Sequence, residues 1–341
     1  MGLRDKLPEL QALEALLDDL PGARVEVVGQ AEHGKERLPL YTVTFGPQDP
    51  NAPVLLLTGG VHGLERIGSQ ALVDYLRSFR SSLSWDQLLH QVLETTRVVF
   101  MPIINPVGMA MHRRSNGQGI DLMRSAPVEA AENGPWYAIH RGHRFSPRLP
   151  WYRGPRNQQL PEEAKALANV IENHILPSQF SISLDVHSGF GEKDRIWFPY
   201  ARTKELYPAI AETLALKRLL RDTYPRHRYL VEPQSVNYTT HGDLWDHFFD
   251  MQRAQTPECA FLPLTLELGS ASWYKKNPKQ LRNALGAFHP ITPERTERVL
   301  RRHTPLFEFL LRAVHSQDRW LPQTKDQRST LRREAEQRWG R

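Results

Sequence analysis

The stretch GGVHGLER, residues 59–66, sets His62 and Glu65 three positions apart, directly behind the apolar run APVLLLT. Imidazole nitrogen and carboxylate oxygen are both ligands for a divalent metal, and zinc in hydrolases takes three such protein donors while leaving a fourth position to water. Two further polar residues fall at apolar runs: His187 closes SISLDVH, and Glu267 lies inside LPLTLELG. His62, Glu65 and His187 together make a three-donor set for one Zn2+ ion. Taken singly, His187 reads equally as a satisfied core histidine, and Glu267 as a buried acid paired with an arginine.

Spacing alone carries little weight, because a chain with 14 histidines should contain about one H-x-x-E pair by chance. The sequence contains its own control: His33 and Glu36 in HGKE match the same pattern but fall in a polar turn with nothing to hold them rigid. The pair at His62 differs in context. It lies where a buried strand ends and a helix begins, and in α/β sheets ligands bind beyond the carboxyl ends of strands. Gly59, Gly60 and Gly63 permit a tight turn, and a separation of three turns both side chains to one face of an incipient helix.

The elements that must position these residues are legible as alternating periods. A leucine-spaced helix over residues 1–22 precedes two strands, ARVEVVGQ and LPLYTVTFG, joined by the turn AEHGKER. APVLLLT and RVVFMPII are nearly continuous apolar runs, as expected of strands buried on both faces, and ERIGSQALVDYLRSF and WDQLLHQVLETT between them have helical period. A helix over PEEAKALANVIENHIL follows, then strands at FSISLDVH, RIWFPY and LPLTLELG, with a helix over TKELYPAIAETLALKRLLRDT. This predicts one α/β domain whose mixed, mostly parallel twisted sheet is flanked by helices. Residues 125–160 have no clean period; a structureless stretch of that length inside a compact domain is usually functional or a lid.

Composition narrows the class. The chain of 341 residues has no run long and apolar enough for a membrane span, and its first segment lacks the apolar core of a signal peptide. Residues 2–6 also lack a myristoylation signal. The one cysteine, Cys259, excludes an internal disulfide and a cysteine metal cluster, so a soluble cytoplasmic protein is the expectation. The net charge of +6 comes largely from an arginine-rich last segment, read as a helix followed by a solvated, fraying tail over residues 316–341. With no recognition motif beside it, this charge predicts neither a nucleic-acid nor a membrane partner.

The ordered series H-x-x-E, NPVG, Arg-x-Asn with GIDLMR, a strand ending in His, Tyr-x-x-x-Gly and LEL resembles the zinc carboxypeptidases of the carboxypeptidase A type, over roughly residues 25–310. That family is itself a standard example of His₂Glu zinc coordination. The resemblance implies a catalytic domain over residues 23–315, with His62, Glu65 and His187 as the ligands. It makes Asp121 the carboxylate that orients the first histidine. Glu267 becomes the general base, taking a proton from water activated at the metal and passing it to the leaving amine. Arg114 becomes the cation that stabilises the oxyanion, with Arg113 as the alternative if the register is off by one. Tyr238 matches the mobile tyrosine that closes over substrate; otherwise it is a turn residue packing on the sheet edge.

Two departures stand out. Where the family has Asn-Arg to hold the substrate's terminal carboxylate, this chain has Met123-Arg124. Arg124 can still bind a carboxylate bidentately, but a thioether supplies no donor, and losing a hydrogen bond to a charged group costs about 1.5–3 kcal/mol. The second departure is the arginine- and tryptophan-rich stretch 125–160, where Trp136, Trp151, Arg153 and Arg156 either line the substrate entrance or form the core of a compact loop. His140 and His143, with no third ligand nearby, read as a solvated loop rather than a second metal site.

The function implied is zinc-dependent hydrolysis of an amide beside a carboxylate-bearing residue of a peptide. An alternative keeps the zinc and Glu267 but acts on N-acyl amino acids or side-chain amides of cell-wall peptides, which the loss of Asn at Met123 favours. A third reading is a catalytically silent binding protein on the same fold.

Overall fold

The computed structural model describes residues 2–340 apart from residues 133, 136 and 284, so the expectation for Trp136 lies outside the described residues. Eight strands form one mixed sheet: β1 (Arg24–His33), β2 (Glu36–Phe45), β3 (Val54–Gly59), β4 (Arg97–Met101), β5 (Phe180–Ser188), β6 (Arg195–Phe198), β7 (Leu230–Pro233) and β8 (Ala260–Leu268), in the order β1-β2-β4-β3-β5-β8-β6-β7. The four central strands β4, β3, β5 and β8 are mutually parallel, and antiparallel partners flank them on both sides. Every residue of β3, β4 and β5 is buried, which is the physical counterpart of their continuous apolar runs.

The helices are α1 (Pro8–Leu17), α2 (Arg66–Ser82), α3 (Gln87–Thr95), α4 (Pro106–Ala110), α5 (Glu162–Val170), α6 (Ile210–Thr223), α7 (Leu244–Gln255), α8 (Ala271–Lys276), α9 (Pro293–His315), α10 (Gln317–Trp320) and α11 (Lys325–Trp339). Helices α2 and α9 pack together over β3 and β5, while α6 and α7 lie against β8. The amphipathic α2 begins at Arg66, whose buried guanidinium is held by Glu9 of α1 at 2.9 Å.

Three of the elements read from sequence take a different form, and β7, α4, α7 and α8 are additional to that reading. The β1–β2 hairpin is tighter than AEHGKER implied: His33 and Glu36 are themselves paired strand residues. Helix α6 starts at Ile210 rather than Thr203, just after Pro208, whose ring and missing N–H disfavour a helix interior. The solvated, fraying tail expected over residues 316–341 is mostly helix: α11 starts on a Thr324–Gln327 capping box, packs on α6, and buries Ala335 and Trp339.

Candidate metal centre

His62, Glu65 and His187 meet beyond the carboxyl ends of β3 and β5, all three buried, with one potential ligand atom from each within 4.8 Å of the others. The chain leaves β3 at Gly59 and turns so tightly that a side chain at Gly63 would meet the backbone of Gly108 at 2.0 Å. Asn105, at the start of α4, secures that turn by donating to Val61 O at 3.1 Å. His62 and Glu65 therefore sit on a turn that precedes α2, with Glu65 at its N-cap position.

The two imidazoles are oriented in the same way. Asp121 Oδ1 lies 3.1 Å from His62 Nε2, and Asp185 Oδ2 lies 2.5 Å from His187 Nε2. A carboxylate at Nε2 puts the ring proton there and leaves Nδ1 as a lone pair. The two Nδ1 atoms stand 3.2 Å apart, and Glu65 oxygens lie 2.8 Å from His62 Nδ1 and 3.0 Å from His187 Nδ1. Three acceptors facing one another in a buried space repel unless a proton or a metal ion lies between them, and two imidazoles with one carboxylate are a donor set that fits a divalent metal. Among the described residues no other group of histidines, cysteines or acids converges in this way.

Each orienting acid is itself held. Asp121 Oδ2 accepts from Arg114 Nε at 2.7 Å, and Arg114 Nη1 also reaches Glu65 Oε1 at 3.3 Å. Asp185 accepts from Thr58 Oγ1 at 3.1 Å and from Trp245 Nε1 of α7 at 3.0 Å. Asp185 and Trp245 were not anticipated from sequence. The signal for Asp185 was present, because residues two apart on a strand share a face and Asp185 precedes His187 by two.

The electrostatics follow from this packing. Burial alone would raise Glu65 and Asp121, yet His62 and His187 around the first, and Arg114 and His62 around the second, hold both carboxyls well below the ordinary range. Glu267 goes the other way: burial, and then the nearby Glu65 carboxylate, push it up to about 8. Its Oε1 accepts from Phe190 N at 3.0 Å. Burial also raises Tyr238, with Glu267 adding to the effect and Arg124 opposing it.

A cleft of about 490 Å³ opens over the three donors. Its lining includes Arg114, Met123, Arg124, Tyr238 and Glu267, so every site residue inferred from sequence except the buried Asp121 reaches it. Arg113 is exposed and outside the cleft, so Arg114 is the arginine at the site. Tyr238 packs in an aromatic cluster with His140, Phe190 and Trp197, at centroid distances of 5.8, 5.8 and 6.2 Å. Gly242, at φ +72°, passes so close to Arg124 that a side chain there would meet its carbonyl oxygen at 1.9 Å.

Residues 125–160 are mostly irregular and divide between cleft wall and scaffold. Trp151 and His140 line the cleft. Arg153 is a structural residue instead, bonded to Arg124 O at 3.2 Å, Val128 O at 3.0 Å and Glu129 at 2.7 Å, and Arg156 is exposed outside the cleft. His143 is not solvated as expected: it is buried, with Nε2 bonded to Pro150 O at 2.8 Å. The sequence also gave no hint of Asp243, a buried cleft residue that caps α7 with Oδ1 while Oδ2 finds no donor among the described residues.

The model of one protein family, zinc carboxypeptidase, matches residues 10–283. The chain belongs to the zinc carboxypeptidase family. Carboxypeptidase SOL1 of Arabidopsis thaliana is 22% identical over 258 residues, a match that covers 74% of this chain and 47% of that protein. The chain thus spans about half the length of this curated relative. Among solved structures, thrombin activatable fibrinolysis inhibitor shares the fold with a TM-score of 0.66 and 17% identity, over 93% of this chain and 73% of that one. Carboxypeptidase A from Helicoverpa armigera gives a TM-score of 0.63 and 17% identity, over 90% and 71%. Membership of the family implies Zn2+ at a site such as the one His62, Glu65 and His187 form. Among the described residues no helix is long and apolar enough to cross a membrane.

Proposed function

We infer that this chain is a zinc-dependent hydrolase that cleaves an amide bond next to a residue carrying a free carboxylate. The observation that carries the reading is one cleft lined by the three converging donors, by Glu267 with its raised affinity for protons, and by Arg124. His62, Glu65 and His187 would hold the ion, with Asp121 and Asp185 fixing the tautomers of the two histidines. When bound, zinc supplies a Lewis acid that polarises a carbonyl and acidifies a water molecule.

The remaining chemistry belongs to the side chains. Glu267 takes a proton from the attacking water and delivers it to the departing nitrogen, a role suited to a carboxyl whose pKa lies near the operating pH. Arg114 is pinned through Nε and Nη1, so its charge is held rigid beside the carbonyl oxygen where negative charge develops. Arg124 bonds the Tyr238 hydroxyl and makes longer carbonyl contacts, 3.4 Å to His140 O and 3.2 Å to Met123 O, but forms no ion pair among the described residues, which leaves its charge for a substrate carboxylate. The donorless oxygen of Asp243 favours a leaving residue that brings a cation.

A second reading has its own support. Met123 is buried at the cleft wall and offers no donor, which favours an amidase or deacylase acting on an acylated amino acid or a cell-wall peptide. Purified protein assayed on peptides with free C-termini and on their C-terminal amides separates the two. Preference for the free acid supports the carboxypeptidase reading, and equal cleavage of both removes it. Absence of stoichiometric zinc would return the chain to a silent binding protein.

A further inference from the structure

A second cleft, of about 650 Å³, lies between the end of α6, residues 224–229 and the middle of α9, and shares no lining residue with the one over the metal donors. Leu220, Pro305 and Leu306 contribute apolar surface to it, and Tyr224 and Tyr229 aromatic rings. Both rings are fixed by their hydroxyls: Tyr224 OH accepts from Arg312 at 2.7 Å, and Tyr229 OH bonds His303 Nδ1 at 2.9 Å. His227 stacks on Tyr229 with ring centroids 5.8 Å apart and an interplanar angle of 23°.

The charged lining is of one sign. Arg226, Arg228 and Arg302 line the cleft and no acid does. Arg302 is paired with Asp194 at 2.8 Å, whereas Arg226 and Arg228 make no hydrogen bond or ion pair among the described residues. Arg226 and Arg228 are exposed at alternate positions of one short segment, so both guanidinium groups are free to meet an anion. The guanidinium fork matches phosphate and carboxylate bidentately and also stacks on flat rings. The volume is that of a small-molecule site, in which apolar surface holds the body of a ligand and a few polar groups fix its orientation.

We propose that this cleft binds a small organic anion made of a flat ring and a phosphate, with the ring against Tyr224, His227 and Tyr229 and the phosphate on Arg226 and Arg228. A mononucleotide has this chemistry. The site is separate from the proposed hydrolytic one, and its occupancy does not depend on zinc.

The test is calorimetric titration of the full chain with AMP, adenosine and inorganic phosphate. AMP is expected to bind at least tenfold more tightly than either fragment, and to weaken as salt rises. The surface double variant Arg226→Ala/Arg228→Ala should weaken AMP binding at least tenfold while melting temperature and zinc content stay unchanged. Tyr229→Leu, which removes the stacking partner but no charge, should weaken AMP and leave the response to phosphate unchanged. AMP that fails to bind, or that binds the double variant as well as the parent, overturns the proposal. Binding of polyglutamate without binding of AMP also overturns it, in favour of an acidic protein partner.

Discussion

His187 stands directly opposite Glu267 in the parallel ladder between β5 and β8. Neighbouring strands in a sheet lie about 4.8 Å apart, so the donor and the acid are set side by side by backbone hydrogen bonds rather than by flexible loops. The Glu267 carboxylate therefore has a fixed position over the cleft, with Phe190 N as its anchor. Glu267→Gln keeps the size and the acceptor oxygen but cannot carry the proton. The expected outcome is a fall in kcat of about 10²–10⁴-fold with zinc content and KM little changed. Retained activity in the loaded variant would remove Glu267 from the chemistry.

Asp185 ties His187 to Thr58 and Trp245, so it fixes the second imidazole as Asp121 fixes the first. Asp185→Asn keeps the volume but weakens the hold on the Nε2 proton. Changes to partners of this kind typically cost about 10–100-fold in metal affinity. Competition against a chromophoric chelator should show that loss for Asp185→Asn and a smaller one for Trp245→Phe, whose indole is one of two supports. Zinc at about a thousand times its dissociation constant should stabilise the parent by about 4 kcal/mol, so chelation should lower the melting temperature.

Acid stability depends on a group away from the cleft. Burial, and then the charge of Arg302, depress His303 to about 4, while Asp194 opposes the shift from 3.8 Å. Between pH 6.5 and 4 the unfolded chain binds a proton that the folded chain refuses, so stability falls as pH falls through this window. From about pH 7 to pH 5 the loss from this one group is about 2 kcal/mol. His303→Gln removes the titration, so its stability relative to the parent should rise by about that amount over the same interval. Denaturant unfolding at the two pH values measures it; parallel pH dependence in both proteins would contradict the assignment.

What the sequence disclosed divides by the kind of signal. His62, Glu65, His187 and Glu267 were legible because each borders or interrupts an apolar run, and parallel strands bring their carboxyl ends to one edge. Asp121, Arg114 and Arg124 came from the family's order of motifs, not from any period. Asp243 and Trp245 were missed because α7 was not recognised, and its cap is what brings both to the site. Helix α11 was read as tail because only two of its residues, Ala335 and Trp339, are buried, too few to mark a face by their spacing. Residues 125–160 have no period to read. Their fold is set by single contacts such as Arg153 with Glu129 and Arg141 with Thr239 O, which only the tertiary structure reveals.

Met123 decides between the two substrate readings, and one substitution tests it. Its backbone N–H is spent on Asp121 at 3.1 Å, so the residue offers the cleft only a thioether. Met123→Asn introduces an amide donor next to Arg124 in a wall that is otherwise unchanged. If a terminal carboxylate binds at Arg124, this donor adds a hydrogen bond to a charged group, which corresponds to at least about a tenfold gain in kcat/KM on free-acid peptides, mostly through KM. The amide-terminated peptides should gain nothing. If the natural substrate instead packs an apolar or acyl group against Met123, the variant loses activity on acylated amino acids and gains none on free-acid peptides. The two readings thus predict opposite signs for the same change.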